Sequence, residues 1–228
     1  MTKTAIVTGS SKGIGFKVTE LFLKEGYKVA GWSRSKTKID HKNFIHIDTD
    51  MGDEKSVLKA LESSKAFLGD ALSVLINNAG LGYFSKTEEM SSQQWLEMFN
   101  TNVHGIFYAT KAAIPYMRKA GGGHIFNIAS IAGLTGVQEG AGYSATKFAV
   151  RGFSESLFKE VRKDNIKVSC IYPGSVNTEF FRHVDSVKAN DTMLWPEDVA
   201  DMILYFINTP GNFLPVNIEI RPMAAKYN

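Results

Sequence analysis

Cysteine is nearly absent: Cys170 stands alone in the apolar run IKVSCIY, so no internal disulfide can form. A buried thiol in a reducing compartment is the expectation. The six prolines are scattered, and no Pro-rich, Ser-rich or single-charge block suggests a linker. No internal repeat interrupts the chain. No apolar run approaches the roughly 20 residues of a membrane span, and MTKTAIVTGSS enters a strand pattern without a signal-peptide apolar region. A cytoplasmic protein is expected. A net charge of +3 with no basic stripe argues against nucleic acid and membrane surfaces as partners. The five histidines show no H-E-x-x-H or other ligand spacing, so no metal site is expected.

What is present fits one large α/β domain spanning residues 1–228, with an apolar fraction of 44%. Thr4 to Thr8 reads as a short strand that runs into Gly9-Ser10-Ser11-Lys12-Gly13-Ile14-Gly15, and a helical pattern follows from Phe16 to Glu25. Strand, glycine loop and helix is a phosphate-binding order. The glycines admit close backbone approach, and the helix start offers free N–H groups and a positive dipole end. The spacing G-x-x-x-G-x-G departs from the commoner G-x-G-x-x-G, and a tight turn is the competing reading.

The next strand, Tyr27 to Trp32, ends in Ser33-Arg34, where a dinucleotide fold reads the adenosine ribose. Guanidinium only donates hydrogen bonds, so Arg34 suits a 2′-phosphate rather than a free 2′-hydroxyl. Lys12 adds a second positive charge on this reading. The run SKTKIDHKN before a third strand, Phe44 to Asp48, is too short for a full crossover helix and predicts a loop or single turn. Asp53 is the expected N-cap of a helix from Glu54 to Phe67, which leaves Asp50 free to face a ligand. The strand LSVLI delivers Asn77-Asn78-Ala79-Gly80, and a long helical region from Gln93 to Arg118 is interrupted near Thr101-Asn102. Asn102, amid apolar neighbours, reads equally as a tie between backbone segments or as part of a reaction centre.

The stretch NIASIAGLTGVQEGAGYSATK gathers a hydroxyl, a phenol and an ammonium. Ser130 closes an apolar strand, and Tyr143 and Lys147 share one face of a helix patterned from Gly142 to Lys163. A fixed ammonium one turn from a phenol favours the phenolate, which predicts a lowered pKa and a general acid or base at Tyr143. Beyond it come a strand, Lys167 to Tyr172, then a mixed segment with Phe180, Phe181, Met193, Leu194 and Trp195 that suits a pocket or a core cap. A helix from Pro196 to Ile207 and a last strand, Val216 to Ile220, complete the pattern.

Taken together, from about Lys3 to Ile220, these pieces resemble the short-chain dehydrogenase/reductase family in its single-domain form. The resemblance implies a Rossmann-type, doubly wound sheet of seven parallel strands in the order 3-2-1-4-5-6-7, flanked by helices. It implies Asn102, Ser130, Tyr143 and Lys147 as the catalytic tetrad. The cofactor contacts it implies are Gly9, Ser11, Lys12, Gly13, Ile14 and Gly15 in the loop, Ser33 and Arg34, Asp50 and Met51 at the adenine, and Asn77, Asn78, Ala79 and Gly80. Tyr143, Lys147, Pro173, Gly174, Val176 and Thr178 complete that set. The implied activity is reduction of a ketone or aldehyde to an alcohol, or the reverse, with NADPH preferred over NADH. Tyr83, Phe84, Phe180 and Phe181 suggest an apolar carbonyl substrate, with Arg182 or His183 to receive an anionic group. A homodimer through the helices before Arg118 and after Gly142 is the implied assembly, with a homotetramer as its extension. The C-terminal NFLPVNIEIRPM lacks the Thr-Gly and Asp-Gly-Gly pattern many relatives carry. The rival reading is a regulator that senses NADP without turnover. It would need the loop and Arg34 but would have no use for Ser130, Tyr143 and Lys147 together.

Overall fold

A computed structural model of the chain describes residues 3–180 and 190–223. Seven strands, β1 Thr4–Thr8, β2 Lys28–Trp32, β3 Phe44–Ile47, β4 Val74–Asn77, β5 Gly123–Ile128, β6 Ile166–Pro173 and β7 Asn217–Ile220, form one sheet in the order β3-β2-β1-β4-β5-β6-β7. Every pairing is parallel. Six helices connect them: α1 Gly13–Lys24, α2 Glu54–Leu68, α3 Ser92–Phe99, α4 Gly105–Lys119, α5 Ala141–Val161 and α6 Pro196–Ile207.

The strands are apolar on both faces because both faces are covered. Side chains alternate across a strand, so in β1 Ile6 enters one core with Leu61 and Leu68 of α2, Ala113 and Met117 of α4, and Val161 of α5. Ala5 and Val7 point the other way, into a core with Val18 and Phe22 of α1 and Val199 and Ile203 of α6. Phe22, Ile6 and Ile203 are fully buried, and each such side chain is worth about 1.5–3 kcal/mol relative to exposure. Several polar side chains between the layers are paired, although Ser10 Oγ and Asn77 Oδ1 have no partner among the described residues. The indole N–H of Trp32 donates to Ser64 Oγ at 2.8 Å, and Asn77 on β4 stands in register with Asn127 on β5 and donates to its carbonyl oxygen at 2.8 Å.

Two differences from the sequence reading and one agreement bear on the site. Helix α1 starts at Gly13, not Phe16, so the last two glycines of the loop already belong to its first turn. The connection from Arg34 to β3 carries no helix, as its length predicted. The break near Asn102 is a π turn, Asn100–His104, which joins α3 to α4 without ending the helical path.

Candidate active site

At the carboxyl end of the strands a cavity of about 590 Å³ runs from the glycine loop to the start of α5. Carboxyl ends are where a doubly wound sheet places its loops and helix N-termini, and so its ligands. Gly9 carries φ of +67°, and a Cβ on it would lie 2.8 Å from Asn78 Nδ2 and 2.9 Å from Ala79 Cα. Only glycine fits there. Gly15 is packed as closely, against the Gly9 carbonyl and Asn78. Helix α1 has neither a side-chain cap at Lys12 nor an acidic residue in its first turn, so its leading N–H groups are left for a ligand.

Most residues singled out in the sequence line this one cavity. Gly9, Ser11, Lys12, Gly13 and Ile14 form its floor at one end, with Ser33 and Arg34 from the end of β2 and Asp50 and Met51 after β3. Asn78, Ala79 and Gly80 form the middle, Pro173, Gly174, Val176 and Thr178 the wall after β6, and Ser130, Tyr143 and Lys147 the far end.

Gly15, Asn77 and Asn102 are not on the wall. Gly15 supports the loop from beneath. Asn77 turns into the core, where its amide donates to Thr110 and Asn127, so the expected cofactor contact at this position is replaced by a cross-strand tie. Asn78 alternates to the opposite side, and its amide donates to the Thr8 carbonyl at 2.9 Å and to the Gly9 carbonyl at 3.2 Å. Asn102 is fully buried, and its side chain accepts from Leu81 N at 2.9 Å and donates to Leu81 O at 2.8 Å and Thr146 Oγ1 at 3.1 Å. Of its two sequence readings, the tie between backbone segments describes that side chain.

The electrostatics also differ from expectation. Ser130 lies beyond β5 and caps a short 3-10 turn, Ile131–Gly133, its Oγ accepting from Ala132 N at 3.2 Å. Tyr143 is buried in the first turn of α5, and burial pushes its phenol up to about 12, against which a hydrogen bond with Ser130 pulls down. The Lys147 ammonium donates to the Ile128 carbonyl at 3.0 Å and lies 5.6 Å from the Tyr143 ring centroid, and burial, not that charge, sets the direction at the phenol. Burial lowers Lys147 itself to about 8. Lys12 pairs with Glu179 at 3.4 Å across the cavity mouth, so part of the positive charge assigned to a 2′-phosphate is already met.

Thr8, which the sequence placed at the start of the cofactor loop, proves to be a support, and sequence reasoning overlooked several wall residues. Thr8 Oγ1 accepts from both Asn78 N and Ala79 N at 2.9 Å, fixing the middle of the floor. Val137, Gln138 and Glu139 line the far end, and their place just ahead of Tyr143 was the available signal. Of the mixed segment, Phe180 lines the cavity, Met193 is buried, Leu194 packs on the α1 and α6 core, and Trp195 is exposed. Phe181, Arg182 and His183 lie outside the described residues. Among the described residues no group of His, Cys, Asp and Glu could hold a metal ion, and no helix is long and apolar enough to cross a membrane.

The glycine cradle, the uncapped start of α1 and the cavity length fit a dinucleotide. Known proteins agree. A model of the short chain dehydrogenase family matches residues 3–189. An uncharacterized oxidoreductase of Staphylococcus aureus is 32% identical, over 97% of each chain. A serine dehydrogenase in its closed form with NADP+ superposes with a TM-score of 0.90 at 30% identity, covering 98% of this chain and 96% of that one. An alcohol dehydrogenase of the archaeon Thermococcus sibiricus, complexed with 5-hydroxy-NADP, gives 0.88 at 26% identity and 99% coverage of both. The chain therefore belongs to the short-chain dehydrogenase/reductase family and is an NAD(P)-dependent dehydrogenase or reductase.

Proposed function

We propose that the protein is an NADPH-dependent carbonyl reductase, converting a ketone or aldehyde to an alcohol and able to run the reverse. The observation that carries this reading is the placement of Ser130, Tyr143 and Lys147 on the wall of the cavity whose other end is the glycine loop and Arg34. When bound, the reduced nicotinamide supplies a hydride to the carbonyl carbon. Tyr143 holds a proton firmly at neutral pH, and gives it to the oxygen only as negative charge develops there. Ser130 Oγ hydrogen-bonds the same oxygen, stabilising that charge. Lys147, anchored by the Ile128 carbonyl, holds the nicotinamide ribose and sets the local potential. Asn102 acts as a positioning residue, clamping Leu81 to Thr146, the residue before Lys147.

Arg34 supports a preference for the 2′-phosphate of NADPH, as a donor fork at the end of β2. Phe84 and Phe180, on the cavity wall, support a substrate with an apolar body, whereas Tyr83 lies off the wall with its hydroxyl donating to Glu97. A cytoplasmic homodimer through α3, α4 and α5 is the assembly that fits best, because Trp95, Leu96, Phe107 and Phe148 are exposed on those helices. The test is NADPH oxidation against a panel of ketones, aldehydes, diketones and acyl-thioesters. Carbonyl-dependent turnover by the parent, abolished in Tyr143→Phe, is expected; NADPH binding without turnover of any carbonyl would contradict the proposal.

A further inference from the structure

The far end of the cavity holds a carboxylate that the proposed reaction does not use. Three acidic side chains line the cavity, and two are engaged: Asp50 Oδ1 accepts from Gly52 N at 2.9 Å, and Glu179 pairs with Lys12. Glu139 is the third. It lies in the turn just ahead of α5, four residues before Tyr143, and its own carbonyl accepts from Ser85 N at 2.7 Å. Its φ of +56° is uncommon for a residue with a side chain. The segment is held from the other side as well, since a Cβ on Gly140 would lie 3.3 Å from the Phe84 ring. The carboxylate is thus presented from a fixed backbone rather than from a loose loop tip.

Aromatic rings line the same end of the cavity. The Phe84 and Tyr143 ring centroids are 5.2 Å apart, and those of Tyr143 and Phe180 are 5.6 Å apart. All three rings converge on Gly82, where a Cβ would lie 2.9 to 3.1 Å from an atom of each. Ring faces attract cations, and the exposed carboxylate of Glu139 at the rim of the same cavity adds a charge of the right sign. Among the described residues the ammonium at this end is that of Lys147, which is buried and committed to the Ile128 carbonyl.

We propose that Glu139, with Phe84 and Phe180, selects carbonyl substrates that carry a cationic group, such as a quaternary or primary ammonium, on an apolar body. This rests on the carbonyl-reductase reading and names its substrate class. The reaction keeps its balance: the carbonyl carbon takes a hydride from NADPH, the oxygen takes a proton from Tyr143, and the cationic group is untouched.

The experiment uses three methyl ketones of one chain length that end in trimethylammonium, in its neutral isostere tert-butyl, or in carboxylate. Reduction by NADPH is followed for the parent and for Glu139→Gln. Because the intrinsic reactivity of each ketone cancels between the two enzymes, the informative quantity is the ratio of kcat/KM for the cation to that for the isostere. It should fall at least about fivefold in Glu139→Gln, the size expected for one partly solvated charge pair, while tert-butyl turnover holds steady. Carboxylate turnover should rise. If the isostere is reduced but the ratio is unchanged by Glu139→Gln, the charge selection is wrong and the carbonyl reductase stands. If the parent reduces none of the three but turns over another carbonyl of the panel, the substrate class is wrong and the carbonyl reductase stands; if it binds NADPH and turns over no carbonyl at all, both readings fall.

Discussion

At the glycine-loop end the cavity wall is backbone, closed by contacts that leave no room for a Cβ on Gly9 or Gly15, whereas at the Tyr143 end it is side chains carried by three separate loops. The first end is shaped for what every dinucleotide presents, a pyrophosphate, and its geometry is dictated by strand ends and a helix start. The second end can change one side chain without disturbing the sheet. Recognition of the common part of a reaction is thus built into the fold, and recognition of the variable part is added on loops.

Single substitutions sharpen that contrast. The largest effect is expected for Gly9→Ala, where a positive φ and a contact under 3 Å coincide. Thermal unfolding should show a loss of roughly 2–4 kcal/mol, and NADPH affinity by fluorescence should fall by about two orders of magnitude. Val137→Ala, at the other end, should leave both nearly unchanged; equal damage from the two would erase the distinction between backbone and side-chain walls. Next comes Arg34→Ala. The ratio of kcat/KM for NADPH to that for NADH should drop roughly 10- to 150-fold at fixed ionic strength, and an unchanged ratio would make Arg34 an ordinary solvated residue.

Stability should follow a group at the amino end of the strands, opposite the cavity. His124, at the start of β5, is buried, stacks on Phe126 and meets Ser169 Oγ at 2.7 Å. Burial first, then Lys167, lowers its pKa from 6.5 to about 3, so the folded chain keeps it neutral. The unfolded chain takes up a proton below pH 6.5 that the folded chain refuses. The contribution is intact above pH 6.5 and is lost as pH falls towards 3. Between pH 7 and 5 the loss should be roughly 2 kcal/mol in denaturant unfolding, and absent in His124→Gln. An identical pH dependence in that variant would show that carboxylates alone set it.

The smallest effect is expected for Glu179→Gln. The pair with Lys12 is exposed, so its loss should not alter stability measurably, yet a carboxylate leaves the mouth of a site for polyanions. KM for NADPH should fall about two- to threefold. A rise would mean that the bridge holds the cavity shut over the cofactor.

The glycine-loop end was legible in the sequence because its requirements are local: a strand, glycines at fixed spacing and a helix start follow one another along the chain. The strand order followed from the resemblance, and the bare connection after Arg34 from length alone. Asn77 and Asn78 show where such reading stops. They are adjacent and chemically identical, yet strand alternation sends one into a core network and the other to the cavity, and only the register of β4 with β5 settles which. The phenol at Tyr143 shows a second limit. Spacing placed Lys147 one turn away, but the Ile128 carbonyl that captures its ammonium, and the burial that outweighs it, come from the folded chain. Glu139 was overlooked because an acidic residue just ahead of a helix ordinarily reads as a favourable dipole contact.

The central claim is that one cavity binds NADPH at one end and delivers a proton from Tyr143 at the other. Tyr143→Phe tests it most directly, with NADPH affinity by fluorescence titration and kcat for the best carbonyl of the panel measured on the same preparation. The account predicts an affinity close to the parent's, within about threefold, and a kcat reduced at least ~100-fold, since only the proton donor is removed. Near-parental turnover in that variant, with NADPH still bound, would contradict it.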